Sequence, residues 1–262
     1  MMAEALDVGL VAYDYDAMLT FYQHGLGMPL IDTIELPGGL MSRFQAGPGV
    51  LKVNQQSGNK SDPAPGDLTS SRGMKLLTLL VPDLQVTSRN LQAAGFPALT
   101  IQDHNGRSLA FTVDPNNSMI ELLAEESASP EPVLRAIGLT VGDMDASRTF
   151  LTHVLGFSEG TTEPIPSLHT DKVEFKAGAT TLKLWQISDL QPHTGPIQDY
   201  AGIRYLTVKV DDMDATLSRA HSAGCNVPLE PMQFAPGLHI AMVEDSDGNW
   251  FEITAVQRVN SS

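Results

Sequence analysis

Short apolar runs alternate with polar, glycine-rich turns along most of the chain. Residues 8–11 and 75–81 are apolar runs of strand length. Each is followed by an aspartate, Asp14 or Asp83, of the type that caps a helix, and each predicted helix ends near a glycine. Several short strand-like runs come after each helix. The pattern therefore predicts a repeated unit of one strand, one helix and three strands, written βαβββ.

This pattern occurs four times, because the second half of the chain repeats the first. The offset from Asp14 to Asp143 is 129, and the offset from Gly73 to Gly202 is the same. The predicted units span about 6–56, 73–124, 133–187 and 201–256. A unit of roughly 50 residues cannot bury a core alone, so units should pair. We predict an α+β fold of two tandem domains, 1–126 and 133–258, joined by a linker at 125–132. Each domain is expected to consist of paired βαβββ modules that form a cup-shaped mixed sheet.

Glu252 is the polar residue that most needs an explanation. It lies between Phe251 and Ile253, directly after a turn-forming stretch at 245–249. Glu121 has the equivalent place 131 residues earlier. A carboxylate inside an apolar strand is costly unless it is paired or binds a ligand. Both glutamates are therefore candidate site residues.

Composition and charge narrow the classes of partner. The chain of 262 residues has a net charge of −15, which argues against nucleic acid or an anionic membrane as a partner. A single cysteine, Cys225, excludes an intrachain disulfide and a thiolate metal site. No signal peptide and no transmembrane segment is predicted, and a cytoplasmic location is expected.

Four βαβββ units, closed by Asp-x-x-Gly-Asn-x-x-Glu at 245–252, resemble the vicinal oxygen chelate superfamily. This superfamily includes glyoxalases, bleomycin-resistance proteins and extradiol dioxygenases. The resemblance implies that two units close into a cup, with metal ligands on the first and last strands of the units. On this sequence those positions are Asp7, Leu76, Ala136 and Tyr205, then Lys52, Glu121, Lys183 and Glu252. The usual histidines are missing, so we expect no cofactor. The alternative is a divalent metal held by Glu252 and His239.

Lysines stand where the resemblance implies a second acidic ligand. Lys52 precedes Glu121 by 69 residues, and Lys183 precedes Glu252 by the same distance. We therefore expect Lys52 to face Glu121 in an N-terminal cup and Lys183 to face Glu252 in a C-terminal cup. Such an ion pair is either a polar plug left from a metal site or a charged anchor for a ligand.

Strand alternation predicts the remaining lining of the two cups. In the C-terminal cup we expect Lys183, Glu252, Tyr205 and His239 as catalytic residues, with Trp185, Trp250 and Thr207 binding the ligand. The N-terminal cup would contribute Lys52, Glu121 and Asp7.

The predicted function is metal-independent acid/base chemistry of the isomerase, lyase or hydrolase type on an oxygenated or aromatic metabolite. One alternative is a non-catalytic ligand-binding or resistance protein. The other is a divalent-metal-dependent lyase or dioxygenase with atypical ligands. A small molecule is the expected partner, and the chain is expected to be a monomer or a homodimer.

Overall fold

The computed structural model of the protein describes residues 4–55, 66–104, 106–125, 129–193 and 195–256. The first two units contain the strands β1 (Asp7–Ala12), β2 (Leu30–Leu36), β3 (Gly39–Ala46), β4 (Gly49–Gln55), β5 (Gly73–Val81), β6 (Gln102–His104), β7 (Arg107–Val113) and β8 (Met119–Ala124). The last two contain β9 (Val133–Val141), β10 (Ser158–Ile165), β11 (Thr170–Ala177), β12 (Thr180–Gln186), β13 (Gly202–Lys209), β14 (Leu229–Ala235), β15 (Leu238–Glu244) and β16 (Trp250–Val256).

One helix follows the first strand of each unit, as predicted. The helices are α1 (Tyr15–Leu19), α2 (Leu84–Ala93), α3 (Met144–Thr149) and α4 (Met213–Ser222). π-Helical turns, Thr20–Gly25 and Phe150–Val154, extend α1 and α3, and a short 3₁₀ turn covers Pro166–Leu168. Asp14 and Asp83 cap α1 and α2 through their side chains, which accept backbone N–H groups of the first turn. The predicted α+β fold of βαβββ modules is confirmed.

The strands form two curled eight-stranded sheets, and each sheet takes strands from both halves of the chain. The first has the order β14-β15-β16-β13-β1-β4-β3-β2 and joins the first unit to the fourth. The second has the order β10-β11-β12-β9-β5-β8-β7-β6 and joins the second unit to the third. The central contacts are the antiparallel pairs β1–β13 and β5–β9. The expectation that each cup is built within one half is therefore wrong.

The helices, in contrast, pack within each half. The rings of Phe21, beside α1, and Phe96, after α2, meet edge to face at 5.1 Å. In the other half, Arg219 of α4 donates to the carbonyl of Val154, at the end of the π turn, at 3.0 Å. The division into 1–126 and 133–258 stays a prediction that the helices follow and the sheets cross. Of the predicted linker, residues 126–128 lie outside the described residues, as do 56 of the first unit and 257–258 at the end of the second domain.

The two glutamate-bearing strands are each preceded by a turn built on a buried aspartate. Asp114 accepts the N–H groups of Asn116 and Ser118 before β8, and the hydroxyl of Tyr22 donates to it at 2.9 Å. Asp245 accepts equivalent N–H groups before β16. Burial raises the pKa of both carboxyl groups to about 6. The turns fix where β8 and β16 begin and so fix the faces that Glu121 and Glu252 occupy.

Protonation of Asp114 should make stability depend on pH. Its folded-state pKa lies above the usual 3.8, so the folded chain holds this proton more tightly than the unfolded chain does. The resulting stabilisation is complete below about pH 4 and is lost as the pH rises through about 6. Asp114→Asn keeps an acceptor for the turn and a donor for Tyr22 but does not titrate. We expect the free energy of unfolding of the wild type to fall by about 1–3 kcal/mol relative to this variant between pH 4 and 7. Urea unfolding at a series of pH values measures this, and a constant difference would contradict it.

Candidate functional site

Three side chains meet on the face of the first sheet that is turned away from the helices. The Nζ of Lys52 on β4 donates to Glu252 Oε1 on β16 at 2.8 Å and to Thr207 Oγ1 on β13 at 2.7 Å. Thr207 Oγ1 donates in turn to Glu252 Oε1 at 2.7 Å. We call this face of the first sheet the first cup and these three residues its floor. Strand register explains the meeting, because Thr207 is opposite Glu252 on β16 and Lys52 is one strand beyond β13, on β4.

The second sheet repeats this arrangement with its own three residues. Lys183 Nζ lies 2.8 Å from Glu121 Oε2 and 3.0 Å from Thr78 Oγ1, and Thr78 donates to Glu121 at 2.6 Å. We call the corresponding face of the second sheet the second cup. Because the chain is an internal duplication, its two cups have chemically identical floors.

The predicted partners of both lysines are wrong. Lys52 was expected to face Glu121, but it pairs with Glu252, and Lys183 pairs with Glu121 instead of Glu252. The exchange follows directly from the sheet order, which places the first unit beside the fourth. Thr78 was missed by sequence reasoning, although it is related to Thr207 by the same offset of 129 that reveals the repeat. These threonines, rather than the expected Leu76 and Tyr205, contact the ion pairs.

Each floor keeps hydrogen-bonding capacity for a ligand. The side chains of Lys52 and Glu252 are each 12% exposed, and those of Lys183 and Glu121 are 17% and 16% exposed. An ammonium group has three donors, of which Lys52 uses two. Among the described residues, Glu252 receives both of its hydrogen bonds at Oε1, and Oε2 has no partner. The first floor thus offers one donor and one charged acceptor to the cup.

The first cup adds further polar groups around its floor. The Tyr205 ring lies 5.5 Å from Lys52 Nζ, and its hydroxyl accepts from Asn54 Nδ2 at 3.3 Å. Burial, and secondarily the charge of Glu252, raises the pKa of Tyr205, so the phenol stays protonated. Within the described residues, Trp250 Nε1 is buried and has no hydrogen-bond partner. Asp7 accepts from Lys209 Nζ at 3.0 Å and from the backbone of Val50.

The second cup is more apolar. Trp185 takes the place next to Lys183 on the same face of β12, and its ring covers Gly138 on β9. On β7, Phe111 lies opposite Glu121 and Val113 opposite Met119, with exposed fractions of 47% and 49%. Trp185 and Trp250 therefore lie in different cups, and the expectation that one cup holds both tryptophans is wrong.

His239 is not part of either floor, which corrects its predicted role beside Glu252. In the β15–β16 register, Met242 lies opposite Glu252 and His239 lies opposite Ala255. His239 therefore points to the other face of the sheet, with Ala241 and Val243, which are buried in the core. It lines a cavity of about 970 Å³ near the start of α4, together with Lys209, Asp212 and Thr254. That cavity does not reach Lys52 or Glu252.

The donor set of either floor does not fit a divalent metal. Each floor supplies one carboxylate, and a lysine ammonium within 2.8 Å of that carboxylate holds the position beside it. Glu252 and His239, the alternative pair, are on opposite faces of their sheet. Among the residues that the structure describes, no group of three histidine, cysteine or acidic side chains has metal-binding geometry.

Paired βαβββ modules that share a curled sheet, with a polar floor on its open face, define a glyoxalase-like architecture. The family model described as Glyoxalase/Bleomycin resistance protein/Dioxygenase superfamily matches residues 6–122 and 133–253, and the chain belongs to this superfamily. The predicted family is thus confirmed. A comparison with curated proteins finds no significant match.

Solved structures share the fold over almost the whole chain. Glyoxalase I from Zea mays is similar with a TM-score of 0.72 and 18% identity, over 97% of this chain and 92% of that chain. A putative dioxygenase from Bacillus subtilis subsp. subtilis str. 168 has a TM-score of 0.69 and 15% identity, over 96% and 84% of the two chains. The cppA protein from Streptococcus pneumoniae TIGR4 has a TM-score of 0.58 and 13% identity, over 97% and 99%. At these identities the likeness is one of fold. None of the helices within the described residues has the length and apolar character needed to cross a membrane.

Proposed function

We propose that the first cup binds a small oxygenated metabolite and carries out metal-independent acid/base chemistry on it. The observation that carries this proposal is the Lys52–Thr207–Glu252 floor, which is nearly buried yet keeps a free donor and a free carboxylate oxygen. Lys52 would hold a ligand oxygen through its third N–H and stabilise negative charge that develops there. Glu252 Oε2 would take a proton from an adjacent carbon or from water.

The neighbouring residues support this assignment to the first cup. Tyr205 remains a neutral phenol and can donate a hydrogen bond to the same ligand. Trp250 supplies an indole N–H that lacks a partner among the described residues. The equivalent positions of the second cup are Leu76 and Met119, which offer no hydrogen-bond donor. Reactions of the isomerase, lyase or hydrolase type need only such proton transfers.

A second candidate function is ligand binding without turnover, as proposed for the chain from its resemblance to resistance proteins. The observation that favours it is the exposed aromatic and aliphatic surface beside the second floor, where Phe111 and Val113 are about half exposed. Apolar surface around a few polar groups is typical of a small-molecule site and does not require catalysis. Both cups are complete within one chain, so a monomer suffices for either function.

The two tryptophans allow each cup to be tested separately. The chain has only these two, one in each cup, so Trp185→Phe leaves a fluorescent reporter in the first cup and Trp250→Phe leaves one in the second. We expect salicylate or hydroxyacetone, which carry neighbouring oxygens, to change the fluorescence of the Trp185→Phe protein in a saturable way. Recovery of altered product after incubation indicates an enzyme, and recovery of unchanged probe indicates a binding protein.

The alternative of a metal-dependent lyase or dioxygenase is decided by metal content. Protein purified without chelator or immobilised nickel should contain well below one iron, manganese or zinc per chain. Added metal should leave the midpoint of thermal unfolding unchanged. Near-stoichiometric metal, or a fluorescence response that requires it, would contradict the metal-independent proposal.

A further inference from the structure

Two buried cations approach one histidine where the two sheets meet. Lys75 on β5 and Arg204 on β13 are equivalent positions of the duplication, and they are only 4% and 7% exposed. The pKa of His193 is lowered to about 4, mainly by burial and further by the charges of Lys75 and Arg204. Because β5 and β13 are central strands of different sheets, the duplication itself brings two like charges to the seam between them.

The backbone around this cluster is held by a defined set of hydrogen bonds. The N–H of Arg72 donates to Gln191 at 2.9 Å, and the N–H of His193 donates back to the carbonyl of Arg72 at 3.0 Å. The guanidinium group of Arg204 donates to the carbonyl oxygens of Gly195 and Pro196 at 3.0 and 3.1 Å. The side chains of the cluster are therefore placed by two segments that are tied to each other.

Three nitrogen atoms of the cluster are buried and unsatisfied. Within the described residues, Nε of Arg72, Nε of Arg204 and Nε2 of His193 have no hydrogen-bond partner. Burying an unpaired polar group is costly, and such groups in a folded protein usually have a water or an ion as partner. The ring of Tyr200, 4.2 Å from the His193 ring and 5.4 Å from the Arg204 guanidinium carbon, shields this side of the cluster from solvent.

Nearby carboxylates do not cancel this positive charge at close range. Asp247 pairs with Arg72 at 2.8 Å. Asp199 acts on Arg204 only through its longer-range charge, since the hydrogen bonds of the Arg204 guanidinium go to carbonyl oxygens. Asp67 acts on Lys75 in the same long-range way. A small anion would satisfy unpaired N–H groups and offset the repulsion between Lys75 and Arg204.

We propose that Lys75, Arg204 and His193 form a binding site for a small inorganic anion, such as chloride or phosphate, in the seam between the sheets. This site is separate from both cups and does not depend on the function proposed for them. Its occupant would join β5, β13 and the segment that carries His193, so it would stabilise the crossed arrangement of the modules.

Thermal unfolding at constant ionic strength tests this site. Sodium gluconate, whose anion is too large for a buried site, is replaced stepwise by chloride or phosphate. We expect the midpoint of the wild type to rise and saturate, by about 5–10 °C at a concentration a hundredfold above the dissociation constant. Arg204→Met should abolish the rise, whereas Arg135→Met, which removes an exposed cation from β9, should keep it.

Two outcomes would overturn the anion site. One is an equal rise in the wild type and in Arg204→Met, which means ionic screening elsewhere. The other is no rise at all, which means that water satisfies the buried nitrogens. If Arg204→Met does not fold, crystals of the wild type soaked in bromide give the answer. An anomalous peak between Arg204 and His193 supports the site, and bromide found only on the surface contradicts it.

Discussion

Replacing Lys52 by methionine should destabilise the protein and abolish ligand binding in the first cup. The variant leaves the Glu252 carboxylate, 12% exposed, with only the Thr207 hydroxyl as a partner. Breaking a buried ion pair in this way costs about 3–5 kcal/mol, and the remaining exposure lowers our expectation to about 2–4 kcal/mol. Loss of a charged hydrogen bond to the ligand should weaken binding by about 30-fold or more. Urea unfolding and titration of Trp250 fluorescence in the Trp185→Phe background measure the two effects.

The double variant Lys52→Met/Glu252→Met separates a structural role from a functional one. Removing both charges leaves no uncompensated ion, so most of the lost stability should return. Ligand binding should not return, because both the donor and the carboxylate oxygen are gone. A double variant that is stable and still binds the probe as tightly as the wild type would show that the pair is only a polar plug.

The second cup supplies a matched control for this experiment. Lys183 makes the same two hydrogen bonds as Lys52, to Glu121 and Thr78, and has similar exposure. Lys183→Met should therefore cost a similar free energy of unfolding while leaving the Trp250 titration unchanged. Equal loss of the Trp250 response in both variants would mean that the two cups do not act as separate sites.

The sequence was sufficient to predict the modules and the residues of the floors. A repeat at one constant offset identifies equivalent positions without any structure, and it marked Lys52, Lys183, Glu121 and Glu252 as two related pairs. Burial cost explains why such residues stand out, because a charged side chain among apolar strand residues needs a partner. The same offset would also have identified Thr78 from Thr207.

Which modules share a sheet could not be predicted from the repeat. The spacing of 69 residues is the same for Lys52–Glu121 and for Lys183–Glu252, so a duplicated chain allows the partners to be exchanged without any change in spacing. The choice is made by the antiparallel pairs β1–β13 and β5–β9, which join strands far apart in the sequence. Their energy comes from packing over whole strands, which no local pattern reports.

The error at His239 has a related cause. Alternation within β15 shows which residues share a face with His239, but it does not show which face of β16 they meet. That depends on the register between the two strands, and a shift of one residue exchanges the faces. The register places Met242 opposite Glu252, so His239 belongs to the core side.

Replacing Gly9 by alanine should be among the most destabilising single changes in the first cup. A Cβ atom at Gly9 would lie 2.0 Å from Cε1 of Tyr205, inside the ring's van der Waals surface. Tyr205 is 5% exposed and is held by Asn54, so its ring cannot move aside freely. Overpacking of a well-packed interior costs about 1–3 kcal/mol, and a clash with a rigid aromatic ring should reach about 3 kcal/mol or more. Urea unfolding of the variant measures this cost.

Two further variants show whether the clash with the ring is the cause. Gly38→Ala is the control for glycine replacement itself, since no atom lies within 4 Å of its added Cβ, and it should change stability by less than about 1 kcal/mol. Gly9→Ala combined with Tyr205→Leu should recover part of the loss relative to Tyr205→Leu alone, because the smaller side chain leaves room for the methyl group. If Gly9→Ala costs the same in both backgrounds, the strand itself, and not the Tyr205 ring, requires the glycine.

The same reasoning extends to the second cup and connects the two predictions. Gly138 occupies the position equivalent to Gly9, and its added Cβ would lie 2.6 Å from Cζ3 of Trp185 and 2.8 Å from Cβ of Leu76. Each lysine of a floor lies opposite one of these glycines on the neighbouring first strand. A glycine there leaves space for a large aromatic ring beside the ion pair. Gly9→Ala should therefore displace Tyr205 from Lys52 and weaken probe binding in the first cup alone, whereas Gly138→Ala should affect only the Trp185 reporter.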